Sequence, residues 1–429
     1  MLSKVSNIQN KVYIICVFIL LYFLLGSTYP FVHTIIFTPD NLFKPLLLIS
    51  YSVLLFICIR KNHLILPKRD FTLAILIQIL FLIFHSLVFH SDNSLYVAFI
   101  SFQSWIFVFF ILNTIGILTF ICGTFWVNIG NLLFLIIGLF LLLCGFLSVY
   151  DTYSYGDMVI SDYLFFIVKH HDDISEMGDM VRSGGYYDEP GSLAYVVMLL
   201  LLINHKYYKS RFFEYFLLIF PLVTTSLAHI ITSLLYIVFF VVKKKNILKV
   251  FSIVTCVFVI AIYIYKLDIG NNGVSLFLKM TVGRIENVVE GNIDPSRGDG
   301  YELGPTILKS NPLGMSAEVL SGKYPSFTKE TAWYPILVYG FWGVLFFYFP
   351  IVLSLVKSLY LKNVTELLYI CIIAVNLGQR PHYNYPFFLI LIYVLLFNKK
   401  LDEESNACFR HSPRSYKNGA NSQVFSKIS

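Results

Sequence analysis

The stretch "VRSGGYYDEPGSLAYVV" (181–197) sets Arg182, Asp188 and Glu189 directly before a long apolar run. Pro190 suits the first turn of a helix, where its missing N–H costs nothing. The two carboxylates before it can interact favourably with the positive end of that helix. Composition decides what kind of helix it is. Of 429 residues, 57% are hydrophobic and only 13% are charged, and the mean hydropathy is +0.73. A soluble domain carries roughly 25% charged residues. The chain therefore reads as an integral membrane protein, and its 41 Phe and 29 Tyr suit lipid-facing helices and their interfaces.

Working outward, apolar runs lie at 12–27, 43–59, 71–89, 95–114, 129–149, 190–204, 212–224, 227–242, 247–265, 333–356, 365–378 and 385–397. A spanning helix needs roughly 20 apolar residues. The first run, from Val12, reads as a span rather than a removed signal peptide. The expected fold is all-α: a polytopic integral membrane protein with about twelve transmembrane helices. Residues 1–397 form one membrane domain and 398–429 a polar cytoplasmic tail. Basic clusters at 60–69, 205–211, 243–249 and 357–362 and at both termini then fall on one side, which the positive-inside rule makes the cytoplasm. Both termini are expected there. Two long polar loops, about 150–189 and 266–332, fall outside. Loops of that length in a compact protein are usually functional or disordered.

Several functions are excluded or weakened. No GxxxxGK[ST] sequence occurs, so no on-board ATPase is encoded. Carboxylates are scarce within the spans, which weakens an ion-coupled transporter. The seven cysteines form no CxxC pair and suggest neither a disulfide framework nor a zinc site. No metal or cofactor is expected, and nothing points to nucleic acid.

The polar residues that remain gather in a few places. Arg182 is an exterior arginine beside glycines that let backbone approach a ligand, and a guanidinium fork matches phosphate. Asp188 and Glu189 read equally as helix caps. The stretch 283–316 carries Arg284 and Arg297, which can join Arg182 around one anion, and ends in the turn signal "NPLG". Taken singly, each residue of that stretch fits a solvated, charge-balanced loop. "LVTTSLAHIITSLL" (222–235) holds His229 among small hydroxyl residues, a pattern that also serves simple helix packing. "GQRPHYNYPF" (378–387) places Arg380 and His382 in an exterior turn that can close the same site or act as an interfacial anchor.

The order of these motifs resembles the Wzy-type O-antigen and capsule repeat-unit polymerases, within the wider O-antigen polymerase/ligase group. "RSGGYYDEPGSLA" is similar to that family's Arg–Gly–aromatic–Glu–Pro segment opening a helix. "LVTTSLAHIITSLLYIV" is similar to the Thr–Ser helix that follows. A long exterior loop with arginines ends in "ILKSNPLGMS", and "TAWYPILVYGFWGVLFFYF" resembles the helix that resumes. The detailed match covers about 180–356.

The resemblance implies a glycosyltransferase of the bacterial cytoplasmic membrane. It would join oligosaccharide units carried on undecaprenyl diphosphate to build O-antigen, capsule or another surface polysaccharide. Diphosphate leaves, so positive charge must meet it; Arg182, Arg284 and Arg297 are the candidates. The attacking hydroxyl needs a base; Glu189 is the first choice, with Asp188, Glu330 and His229 behind it. A flippase and a chain-length regulator are the implied protein partners, alongside membrane lipid. The O-antigen ligases of the same group typically carry a histidine where the long loop meets the next helix; here that junction reads "SFTKETAWYP" (326–335), without one. A lipid-linked oligosaccharide flippase is the alternative from another class. Its expected two-fold internal symmetry is missing.

Overall fold

The computed structural model describes residues 52, 64–144, 146, 151–155, 158–163, 166–171, 182–185, 187, 190–224, 226–242, 263, 295–324, 333–379 and 386–398. The first three helices are α1 (Arg69–Phe89), α2 (Asp92–Asn113) and α3 (Ile117–Leu143). A four-stranded sheet follows: β1 (Asp151–Tyr155), β2 (Met158–Tyr163), β3 (Phe166–His171) and β4 (Arg182–Gly185). Then come α4 (Pro190–Ile203), α5 (Arg211–Ile219), α6 (Leu227–Tyr236), α7 (Pro295–Ser310) and α8 (Ala317–Lys323). The last described helices are α9 (Trp333–Phe347), α10 (Phe349–Tyr360), α11 (Val364–Gln379) and α12 (Pro386–Ile392). Single π turns extend α4, α6 and α12, and a 3₁₀ turn (Phe220–Thr224) extends α5.

The helix that opens at "DEPG" is the axis of the body. Leu193 through Ile203 are each at most 1% exposed. Helices α5, α6, α11 and α12 pack around α4. α12 is nearly as enclosed, and it bridges α4 to α2. The outer helices differ in kind. α1 buries Phe71, Ala74, Ile75, Gln78, Leu82 and His85, while Leu73, Leu76, Leu80, Phe84 and Leu87 form an exposed apolar stripe. A contiguous apolar exterior of this kind needs lipid or another partner to cover it. α1, α2 and the Ile117–Gly138 part of α3 are long and apolar enough to cross a membrane. The pair α9–α10, bent by 47° at Tyr348, makes up to four, and Ala228–Val241, Val364–Gly378 and Pro386–Phe397 are shorter apolar helices.

Three or four full-length spans are present among the described residues; the runs at 12–27, 43–59 and 247–265, part of the expected twelve, lie outside those residues except for Ser52 and Tyr263. The outline departs from the sequence expectation in four ways. α3 begins at Ile117 instead of near 129, because Gly116, at φ +78°, ends the turn after α2 and lets a new helix start at once. The expected single run 333–356 is two helices. "NIDPSRGDG" was expected in a loop, yet Pro295 opens α7 as a first-turn proline. The segment after Asp151 was expected as loop and forms a sheet. "MVISDY" and "FIVKHH" alternate with the period of a strand, which favours pairing. One further detail differs: Cys122 is disulfide-bonded.

The two ends of the body have different chemistry. α4 starts beside the sheet and ends in "NHKYYKSR", so Lys206, Lys209 and Arg211 sit at the far end. Lys206 donates to the Leu395 carbonyl at the end of α12. The backbone N–H of Lys68, before α1, donates to the Tyr393 hydroxyl at the same end. Lys357 of α10 pairs with Asp70. The described helix ends thus collect cations opposite the sheet.

Candidate functional site

The site builds from the sheet downward. Its order is β1–β2–β3–β4, antiparallel throughout. Arg182 opens β4 opposite Lys169, Ser183 pairs with Val168, and Gly185 pairs with Ile167. The register skips at that last step, leaving Gly184 as the extra residue of a bulge. The glycines beside Arg182 are therefore part of a bulged strand. Such bulges recur beside functional sites. β4 packs on α3, on the start of α4 and on the 3₁₀ turn 220–224.

Between β4 and α4, Tyr187 fixes the chain. It is 1% exposed, and its hydroxyl donates to Asn128 Oδ1 of α3 at 2.6 Å. Asn128 in turn donates to the Thr124 carbonyl one helical turn away. Asn131, Thr224 and Ser226 add further buried polar groups to the helices beneath the sheet. Polar residues in a membrane body are expensive and are kept where they bond or bind.

α5 and α6 form a short hairpin whose tip is Thr224–Ser226. Nine helical residues and a five-residue 3₁₀ turn lead up to it, a rise of roughly 24 Å at about 1.5 and 2.0 Å per residue. His229 lies inside this hairpin with 0% exposure. Its Nε2 faces the Leu218 carbonyl at 3.1 Å and Ser233 Oγ at 3.2 Å. A carbonyl only accepts, so Nε2 carries the proton. His229 thus ties α6 to α5, which is the packing role open to it from the sequence. Its Nδ1 has no hydrogen-bond partner.

Arg297 lies in the first turn of α7, with Gly304 two turns later on the same helix face. A Cβ at Gly304 would stand 2.8 Å from the Trp333 ring, so α7 lies tightly against the start of α9. Asp188, Glu189, Arg284, Glu330, Arg380 and His382 lie outside the described residues. Their gathering around Arg182 is therefore carried by sequence alone.

A second polar constellation was not anticipated from sequence. α9 breaks at Gly340 (φ 75°, ψ 170°). The "NPLGM" turn (311–315) fills the break. Met315 N–H donates to the Leu337 and Val338 carbonyls, each at 3.1 Å, and Phe341 N–H donates to the Pro312 carbonyl at 3.3 Å. Gly314 and Gly340 face each other, both at positive φ, with no room for a Cβ on either. His85 of α1 braces the same place: Nε2–H donates to the Val338 carbonyl at 2.9 Å, and Nδ1 meets Ser94 Oγ at 2.9 Å. From Ser94 the network runs through Ser91 Oγ at 3.3 Å to Glu318 Oε2 at 3.1 Å. Asn93 N–H donates to Glu318 Oε1 at 3.0 Å. Burial of the Glu318 carboxyl raises its pKa, but these donors, with its own N–H and Ser316, outweigh burial and hold it below the usual value of 4.5. "NPLG" was legible as a turn; that it docks into the helix break at Gly340 was not.

An open apolar groove of about 540 Å³ lies between α1 and α2, lined by Ile79, Ile83, Leu95, Phe99 and Phe102, with Asp92 at its end. It offers contact to a hydrocarbon chain and no reactive group. Among the described residues, no three His, Cys, Asp or Glu side chains gather as a metal site. No family model, characterised protein or solved structure matches the chain.

Proposed function

We propose that the chain is a membrane glycosyltransferase that polymerises surface polysaccharide from undecaprenyl-diphosphate-linked repeat units. The reaction would run on the outer face of the bacterial cytoplasmic membrane. The observation that carries the reading is the position of Arg182. It opens a bulged strand packed on helix α4, which is buried from Leu193 to Ile203, at the end of the body opposite the clustered lysines. The positive-inside rule would put that end outside. There a hydroxyl of the incoming unit attacks the anomeric carbon of the growing chain. The C–O bond to the diphosphate breaks, the hydroxyl proton passes to a carboxylate, and undecaprenyl diphosphate leaves. Glu189, next to Pro190, is the assigned base, with Asp188 beside it. Arg182 and Arg297 meet the charge that develops on the leaving diphosphate, a role for which cations in a water-poor site are most effective. Arg284, Arg380, His382 and Glu330 are assigned to substrate binding. His229 is reassigned from substrate contact to support of the hairpin below, on the strength of its burial.

The test is the polysaccharide ladder of cells lacking this gene, complemented with wild type or Arg182→Ala. A ladder that collapses to one capped repeat unit in the deletion, with Arg182→Ala in the membrane yet equally inactive, is the expected result. Unpolymerised units left on the cytoplasmic side would make the protein a flippase, and long unattached polymer would make it a ligase.

A further inference from the structure

One face of the sheet segregates its charges. Residues directly opposite each other across antiparallel strands share a face, and the next row on that face lies two residues along. One row reads Tyr153, Ile160, Lys169, Arg182 from β1 to β4. The neighbouring row reads Asp151, Asp162, Ile167. Two cations are thus direct neighbours on β3 and β4, and two carboxylates are direct neighbours on β1 and β2. Like charges placed directly opposite destabilise a sheet, and exchanging partners between the rows would have neutralised both. Within the described sheet, the acid nearest the cation pair, Asp162, is only a diagonal neighbour of Lys169. An arrangement that opposes folding persists when a ligand needs it. The cation pair lies on β3 and β4, the two strands that contact α3, and β4 also contacts α4, whose positive end adds to an anion's attraction.

We propose that Lys169, with Arg182, forms a two-cation site for the diphosphate of a prenyl-linked substrate, the carboxylate half of the same face being left to sugar hydroxyls. This rests on the polymerase reading and deepens it, because Lys169 supplies the second charge that a diphosphate requires. The fork of Arg182 suits two oxygens of one phosphate, and an ammonium acts as a point charge on the other.

Binding of geranylgeranyl diphosphate to the full-length protein in nanodiscs tests it, with geranylgeraniol as the control that lacks the charge. Lys169→Ala should weaken the diphosphate about tenfold, as the loss of one charge-assisted contact does, and leave the alcohol unchanged. Asp162→Asn should leave binding equal or tighter. Diphosphate affinity unchanged in Lys169→Ala, or alcohol affinity lost in step with it, overturns the proposal. Loss in Arg182→Ala without loss in Lys169→Ala would sink Lys169 alone; retention in both would sink the diphosphate role of Arg182 as well.

Discussion

Gly314→Ala attacks the contact that holds the 295–324 segment on the helical body. The added Cβ would lie 2.5 Å from Gly340 N and 2.8 Å from the Tyr339 carbonyl carbon, and closer still to the Val338 carbonyl oxygen. All three are backbone atoms, so no side chain can swing away. The native φ of +89° lies beyond the small left-handed region open to L-residues, a cost of about 1–2 kcal/mol. Relief requires the turn to lift from the helix break. That forfeits the Met315 and Phe341 N–H bonds, at about 1 kcal/mol each. The sum is about 3–4 kcal/mol. Smaller domains lose about 2–4 °C per kcal/mol and longer chains lose less, so the apparent Tm of purified protein in detergent should fall by about 5 °C. A wild-type Tm for Gly314→Ala would refute the interlock of Gly314 with Gly340.

Gly123→Ala is the opposite case: no neighbouring atom lies within 4 Å of its added Cβ, inside α3, so the same thermal assay should show a gain of up to about 1 kcal/mol from helix propensity. Tyr187→Phe leaves the buried Asn128 oxygen without its 2.6 Å donor, and a loss of about 1–3 kcal/mol is expected; an unchanged Tm would mean that Tyr187 does not anchor the sheet to α3. Glu318 has a folded pKa below its ordinary value of 4.5. Its stabilising contribution is therefore complete above that value and lost as the pH falls through the depressed folded pKa. Wild-type Tm should drop over that acid range more steeply than that of Glu318→Gln, and parallel pH profiles would count against the Ser91–Asn93–Glu318 latch.

The central helix was legible because Pro190 and an unbroken apolar run fix both its start and its burial. The spans of α1 and α2 were legible for the same reason, their apolar runs being as long as a membrane needs. The bend at Tyr348 and the break at Gly340 were not. Hydropathy runs smoothly through both, and the cause of the Gly340 break is a turn from elsewhere in the chain that fills it. The sheet was hidden by its own composition. Acidic residues and short apolar patches read as loop, although "MVISDY" and "FIVKHH" carry the alternation that could have revealed it. Arg182 was singled out by its charge, its expected exterior place and the glycines beside it. Lys169 was missed because nothing in the order of residues tells that position 169 stands opposite 182. That fact belongs to register, which depends on a hairpin and a bulge together. His85 and Glu318 were invisible for a like reason, being joined across 233 positions by two serines of one tight turn.

Wild-type protein in nanodiscs, given undecaprenyl-diphosphate-linked repeat units as its only substrate, tests the central claim most directly. The predicted result is a ladder of lengthened lipid-linked chains, one undecaprenyl diphosphate released for each unit joined, and neither product from Arg182→Ala. Repeat units that remain single with wild-type protein, while binding to it normally, would contradict it.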